Sequence, residues 1–387
     1  VTDGKITARL TGPAKSIGRA AWNACANPSG RSDPHPFTRY EFFEALEESR
    51  SAVPRHGWQP VHLAVEQDGQ IKGLMPLYVK SHSQGEYVFD HAWADALERA
   101  GGNYYPKLQA SVPFTPVTGR RLLIAENTDR AATEAALLEA GVTAVEQTGC
   151  SSLHITFATE EEWRAAESVG YLLRTDRQFH WENRGYQSFD QFLTELSSSK
   201  RKNLRKERAA VRETGIEFDW LTGSDIQEKH WDAFFEFYMD TGSRKWGSPY
   251  LTRDFFSRIG QSMPEQVLLI LARRGQEYIA GALNLFGEGV LYGRNWGCTE
   301  YVPFLHFETC YYQAIDFAIA KGLSKIEAGA QGEHKLLRGY NPVATYSAHY
   351  IAHEGLRRAV ANYLAAERAA IADNIEELND VSPFKKA

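Results

Sequence analysis

With 387 residues, 43% of them apolar and 24% charged, the chain exceeds what one hydrophobic core serves and is expected to form about two globular domains rather than a disordered polymer. A formal net charge of −6 excludes a uniformly basic surface, so attraction to a polyanion has to come from a local patch. Four widely spaced cysteines (Cys25, Cys150, Cys298, Cys310) with no CxxC pair argue against a disulfide framework or a structural zinc site, and no metal site is expected.

The N-terminal stretch VTDGKITARLTGPAK lacks an apolar signal-peptide core, and no apolar run approaches the ~20 residues of a membrane span, so a cytoplasmic protein without an integral membrane segment is expected. Helix signals at 38–49 and 93–100 flank a β-hairpin at 61–78. A proline-punctuated run, NYYPKLQASVPFTPVTGRRLLI, follows at 103–124, and a strand is expected at 172–181. The boundary is placed near Asn183–Tyr186, giving domains 1–183 and 184–387. The second half reads as a polar helix 199–214 stopped by Gly215, a helix at 230–241, a hairpin at 266–286 and a strand at 290–295. A helix at 304–321 comes next, with Phe307, Cys310, Tyr311, Ala314 and Ala318 on one face and Gly322 as its stop. A strand at 324–329, a polar loop, a strand at 344–352 and a helix at 355–379 complete the chain. Segments 61–78 and 269–286 are weakly repeated at an offset of 208 residues, with Leu63/Leu271, Ala64/Ala272, Ile71/Ile279, Gly73/Gly281 and Leu77/Leu285 identical. Each copy sets apolar strands around a short polar turn containing glycine, which points to two copies of one fold.

Polar chemistry concentrates in 291–340, where a strand, a glycine-containing loop, an aromatic-rich helix and a second strand lead into a charged loop. Lys335 and Arg338 are cations in that loop, and Glu333 and His334 are candidates for proton acceptance. Arg294 and Asn295 end a strand, Trp296 follows, and Gly297 would let a ligand approach the backbone closely. His306 and Glu308 are two residues apart and face different directions, so they form no metal pair. The helix at 199–214 carries Lys200, Arg201, Lys202, Arg205, Lys206, Arg208 and Arg212, a patch able to bind an anion, with Lys200, Arg201 and Arg205 as first candidates.

Three stretches carry a family resemblance: SSSKRKNLRKERAAVRETGIEF at 197–218, the run from LYGRNWGCTEYVPF to SKIEAG, and KLLRGYNP at 335–342. They resemble the FemAB-like predicted N-acyltransferases, in the Fem-type peptidyltransferase branch of the GNAT superfamily. The resemblance implies an α/β fold of tandem GNAT-like domains, each a mixed, mostly antiparallel sheet flanked by helices. It implies an N-acyltransferase that takes an acyl or aminoacyl group from aminoacyl-tRNA, acyl-CoA or an acyl carrier protein. The acceptor would be an amine, on a cell-wall precursor or an amino-acid-like small molecule. No tightly bound cofactor is expected; acyl-CoA or aminoacyl-tRNA would be a co-substrate. Arg338 then falls near the family's oxyanion-stabilising lysine, with Lys335, Glu333 and His334 beside it. Arg294, Asn295, Trp296, Gly297, His306, Tyr312, Glu327, Gln331 and Tyr340 would bind substrate, and Tyr104, Lys107, Thr118 and Arg120 would line an acceptor cleft. Two features depart from the family: no long coiled-coil insertion is present, and Arg294–Thr299 matches the GNAT pyrophosphate loop only in part. A non-catalytic module binding RNA or an anionic wall precursor, or a scaffold for complex assembly, stays open as the alternative.

Overall fold

Both anticipated hairpins are present in the computed structural model, which describes residues 6–246, 249–330 and 332–385, with the backbone alone for 243–246. Leu63–Gln67 pairs with Gln70–Met75 around Asp68-Gly69, both at positive φ, and Val267–Arg274 pairs with Glu277–Gly287 around Gly275-Gln276. Each hairpin carries one bulge at the same place. In the first, the register shifts between the pairs Val65↔Gly73 and Glu66↔Ile71, and in the second between Ala272↔Ala280 and Arg273↔Tyr278. These matching pairs lie 207 residues apart, so the identities at an offset of 208 are not structurally equivalent positions. A one-residue slip along a strand exchanges its two faces, which is why sequence identity alone misaligned the repeat.

The chain divides into two compact units. The first runs to Asp176 and takes up Ala344–Asp373, and the second holds Arg177–Val343 and the chain from Asn374 on. The sequence reading ended the first domain at 183 and assigned 344–373 to the second. In the structure residues 346–351 pair instead with Ser152–Ala158, and Leu356, Val360 and Leu364 of the helix Glu354–Asp380 pack with Trp93 and Leu97.

In the first unit, Thr7–Leu10, Leu63–Gln67, Gln70–Met75 and Leu123–Ile124 form an antiparallel four-stranded sheet. Further pairing runs from Trp58–Pro60 through Leu77–Lys80 and Lys107–Ala110 to Ser152–Ala158, the last two strands being parallel. One face of these strands is apolar: Leu77, Leu108, Ala110, Leu153 and Ile155 pack with Leu137, Leu138 and Val145 of the helix Arg130–Thr148. The opposite face carries Lys80, Lys107, Gln109, His154 and His349, and it too is buried. The Lys107 ammonium donates to Ser83 Oγ (2.8 Å), Glu86 Oε2 (2.7 Å) and Asp90, and the Tyr104 hydroxyl donates to Asp90 at 2.7 Å. His154 and His349 meet through their Nδ1 atoms at 2.7 Å. Burial disfavours the Lys107 charge, but Glu86 and Asp90 outweigh it and hold the ammonium above its usual range.

Burial pushes His154 down to about 3 and His349 well below its ordinary value of 6.5. Both therefore fold as neutral rings, and the unfolded chain binds more protons once the pH drops below about 6.5. Stability is fully present above that pH and is lost as the pH falls toward the folded values. Each histidine contributes a loss of up to about 1.4 kcal/mol per pH unit. Urea midpoints measured between about pH 7.5 and about pH 4.5 should fall steadily on the acid side.

The second unit orders Glu217–Thr222, Val267–Arg274, Glu277–Gly287, Val290–Cys298 and Lys325–Glu327 side by side, and residues 180–182 pair antiparallel with the last of these. Only Val290–Cys298 and Lys325–Glu327 are parallel. The element connecting these two strands was expected as one helix over 304–321. It opens as α at Leu305–Phe307, widens to a π turn at Glu308–Tyr312 and returns to α at Gln313–Lys321 before Gly322 stops it at φ 66. The π turn inserts an extra residue, so Tyr311 and Tyr312 point where an uninterrupted α-helix would not aim them. Leu268, Ile270, Leu291 and Ile326 from the sheet meet Phe192, Leu204, Tyr312 and Ile315 in the core. No helix among the described residues is long and apolar enough to cross a membrane.

Candidate active site

After the Tyr292↔Glu327 pair the two parallel strands of the second unit part. Residues 293–298 stay paired on one side with 280–284, while the other strand ends at Glu327. The departing chain turns through Gly329 (φ 78) and Gly332 (φ 112) into a 3-10 helix, Glu333–Arg338. The segment expected as an open loop is thus a wound turn, and Leu336 anchors it in the core.

That winding sends Lys335 and Arg338 inward. Lys335 is 2% exposed, and its ammonium donates to the Gly329 carbonyl at 2.9 Å. Burial pushes its pKa down to about 8, with Cys310 opposing the shift and Arg294 adding to it. Arg338 is 5% exposed, and its Nη2 donates to both Glu207 oxygens at 3.0 and 2.9 Å while Nη1 donates to the His334 carbonyl at 2.8 Å. The Tyr312 hydroxyl donates to the same Glu207 carboxylate, and the Arg338 guanidinium carbon lies 3.4 Å from the Phe307 ring centre. A lysine has no planar fork with which to make these contacts together.

His334 Nε2 and the Tyr311 hydroxyl are 2.9 Å apart. Burial, followed by the charges of Arg338 and Lys335, lowers the imidazole pKa, so the ring is neutral near pH 7. Glu333, the other candidate proton acceptor, does not join this cluster. Its side chain is 68% exposed and pairs with Arg177 at 2.7 Å. Arg294, Asn295 and Trp296 are half-buried on the open strand, and the Trp296 ring lies 5.2 Å from that of the half-buried His306. Tyr340 is fully buried and its hydroxyl has no hydrogen-bond partner among the described residues.

Several expected site residues serve the fold instead. A Cβ on Gly297 would meet the Phe237 carbonyl oxygen at 2.1 Å, so this glycine admits the helix Glu228–Trp246 rather than a ligand. Glu327 is 2% exposed and pairs with Lys325 at 2.7 Å, with His180 Nε2 4.0 Å away. Tyr104 and Lys107 are fully buried in the polar network of the first unit and line no open cleft. The Thr118 carbonyl is 3.2 Å from His35 Nε2, and Arg120 donates to the carbonyls of Cys25 and Ala26, capping the helix Arg19–Ala26. Gln331 lies outside the described residues.

The basic helix, observed as Ser198–Glu213, has two roles. Inward, Glu207 holds Arg338, and Arg208 pairs with Glu308 (2.9 Å) and Asp316 (2.6 Å) across the π turn. Outward, Arg205 is exposed and lies 3.4 Å from Asp190, while Lys200 and Arg201 are half-buried near the helix start. Glu207, Phe307 and Tyr311 were not singled out as site residues from sequence. The one signal for Glu207 was its isolation as an acid between Lys206 and Arg208.

The first unit has a parallel strand pair of its own, Leu108–Ala110 with Leu153–Ile155, but the space beyond it is filled. There the Arg121 guanidinium, 1% exposed, donates to the carbonyls of Thr156 (2.9 Å), Val117 (2.6 Å) and Gly119 (3.0 Å). A polar depression of about 240 Å³ elsewhere in this unit, lined by Asn23, Asn27, Arg31, Ser32, Pro34 and Arg39, holds no histidine or lysine. Among the described residues no three His, Cys, Asp or Glu side chains are grouped to hold a metal ion.

Two units that share the same bulged hairpin, the second with a parallel strand pair that opens beside buried Lys335, define the class of fold. The chain belongs to the FemAB-like family, described as peptidoglycan biosynthesis/recognition, whose profile matches residues 13–386. Among solved structures it is similar to FemX, at 12% identity and a TM-score of 0.54 over 88% of this chain and 98% of that one. It is similar to L-PGS from Bacillus licheniformis, at 11% identity and a TM-score of 0.51 over 86% and 98% of the two chains. A third is the C-terminal domain of a putative lysylphosphatidylglycerol synthetase from Agrobacterium fabrum, at 9% identity and a TM-score of 0.54 over 90% and 96%. At such identities the likeness establishes the fold. No curated protein matches the chain by sequence.

Proposed function

We propose that the protein is an N-acyltransferase whose active site is the open strand pair of the second unit. It would move an acyl or aminoacyl group from an activated donor to an amine. The observation that carries this reading is Lys335, a buried ammonium set immediately beyond the point where the parallel strands part. Acyl transfer to an amine develops negative charge on the carbonyl oxygen, and a donor already fixed in a water-poor site stabilises that charge at little reorganisation cost. Neutral His334 supplies a proton acceptor beside it, and the part of the strand beyond the last parallel pair, from Gly293 on, would meet an extended donor arm.

Family membership supports an acceptor drawn from peptidoglycan precursors. Lys200, Arg201 and Arg205 on the basic helix would carry the anionic part of such a precursor or of a tRNA donor. Arg338 acts indirectly: sealed by Glu207 and Phe307, it holds the 3-10 turn that presents Lys335.

A thermal-shift and native mass-spectrometry screen against coenzyme A, acyl-CoAs, aminoacyl-tRNA, acyl carrier protein and nucleotide-linked wall precursors tests the reading. A ligand at 100 times its Kd should add about 2.7 kcal/mol to apparent stability. Stabilisation by one donor class and by a precursor is expected. Stabilisation by RNA or precursor alone, with no transfer from any donor, would instead identify a binding module.

A further inference from the structure

Three large apolar side chains stand in solvent around the aromatic and guanidinium stack of the second unit. Tyr301 is 86% exposed, Leu337 44% and Phe304 38%. Phe304 is held in the left-handed region at φ 67, an uncommon conformation for a bulky residue, and it begins the helix that continues through Phe307. Its ring lies 6.5 Å from that of Phe307, over which Arg338 is packed, and Leu337 is Arg338's chain neighbour, turned outward from the 3-10 helix. Tyr301 precedes Phe304 by three residues in the same connection, so the three exposed side chains stand on the two segments that meet at this stack and form its rim.

The helix Ser198–Glu213 touches this rim through the Glu207–Arg338 pair. At 100° per residue, Lys200 falls on nearly the same flank as Glu207, two turns earlier, and Lys206 lies beside it toward solvent. Among the described residues, Lys200, Arg201, Lys202, Lys206 and Arg212 form no ion pair, although the chain as a whole is acidic. Cations with long apolar stems beside exposed aromatic and aliphatic groups match the chemistry of a lipid headgroup boundary.

We propose that this rim docks the second unit onto an anionic phospholipid surface. Each lysine or arginine near such a surface adds attraction that salt weakens, and Tyr301, Phe304 and Leu337 enter the boundary between headgroups and acyl chains. An aliphatic leucine in the rim favours lipid over single-stranded nucleic acid, which binds by stacking on aromatic planes. The docking stands on the rim alone, and its failure would leave the acyl-transfer reading intact.

Cosedimentation of the full chain with vesicles tests it. Binding is expected to vesicles of phosphatidylcholine mixed with phosphatidylglycerol, not to phosphatidylcholine alone, and to weaken with added salt. A Tyr301→Ser, Phe304→Asn, Leu337→Ser variant and a Lys202→Glu, Lys206→Glu variant should each bind about tenfold more weakly. Asparagine suits the left-handed position 304, and Tyr301→Ser alone, at a nearly fully exposed site, serves if the triple variant melts early. Absence of binding to the anionic vesicles overturns the proposal. So does wild-type binding by the apolar-rim variants; if a short single-stranded RNA then displaces the vesicles, the helix is an RNA site.

Discussion

Lys335→Met is expected to lower single-turnover acyl transfer by about 100-fold or more, the range seen when one oxyanion donor is removed from a preorganised site. Methionine keeps the volume and apolar stem, and a buried ammonium is replaced by a group with no desolvation cost, so the fold should survive. The pH profile separates this role from a structural one. Lys335 titrates at about 8, so the charged donor is present below that pH and transfer should decline as the pH rises through it. Lys335→Arg, charged at every accessible pH, should abolish that decline even if it is slower throughout. A Lys335→Met enzyme with wild-type turnover would remove Lys335 from the chemistry.

Lys107→Met should destabilise the first unit by about 3–5 kcal/mol, the loss typical when one partner of a buried ion pair is removed. Lys107 is the fully buried cation between Glu86 and Asp90, whose other oxygens, Glu86 Oε1 and Asp90 Oδ1, accept no hydrogen bond among the described residues, Lys80 lying 3.8 Å from the first. Burial raises the Glu86 pKa to about 7 even with Lys107 present. Without the cation, Glu86 should take up a proton and Asp90 should lose the attraction that now keeps its pKa low. Urea unfolding reads the difference. Lys107→Met, Asp90→Asn should recover part of the stability, because the pair is then neutralised on both sides. A change under about 1 kcal/mol would mean that water reaches the network and compensates the charges.

Both hairpins were legible because turn chemistry is local: Asp68-Gly69 and Gly275 each supply the positive φ that a two-residue turn requires. The helix at 305–321 was legible from spacing and its Gly322 stop, but its π turn was not. That turn is held by Arg208 on Glu308, Glu207 on Tyr312 and His334 on Tyr311, contacts made across 23 to 105 residues of sequence. The same limit explains Tyr104 and Lys107. The family resemblance suggested an acceptor cleft, whereas Asp90, Glu86 and Ser83 satisfy them in the interior.

By itself the sequence determined the kind of molecule this is: two related units, their turns and helix stops, and a charged segment near 335 following the strand at 324–329. These follow from local backbone preference and hydrophobic periodicity, which act over a few residues. Only the tertiary structure decided which charged groups are paired, exposed or buried. Arg338 is neutralised by Glu207, Glu333 is turned to solvent and Lys335 is buried against the Gly329 carbonyl. Burial and pairing set that outcome, and both depend on neighbours brought together by folding rather than by the chain.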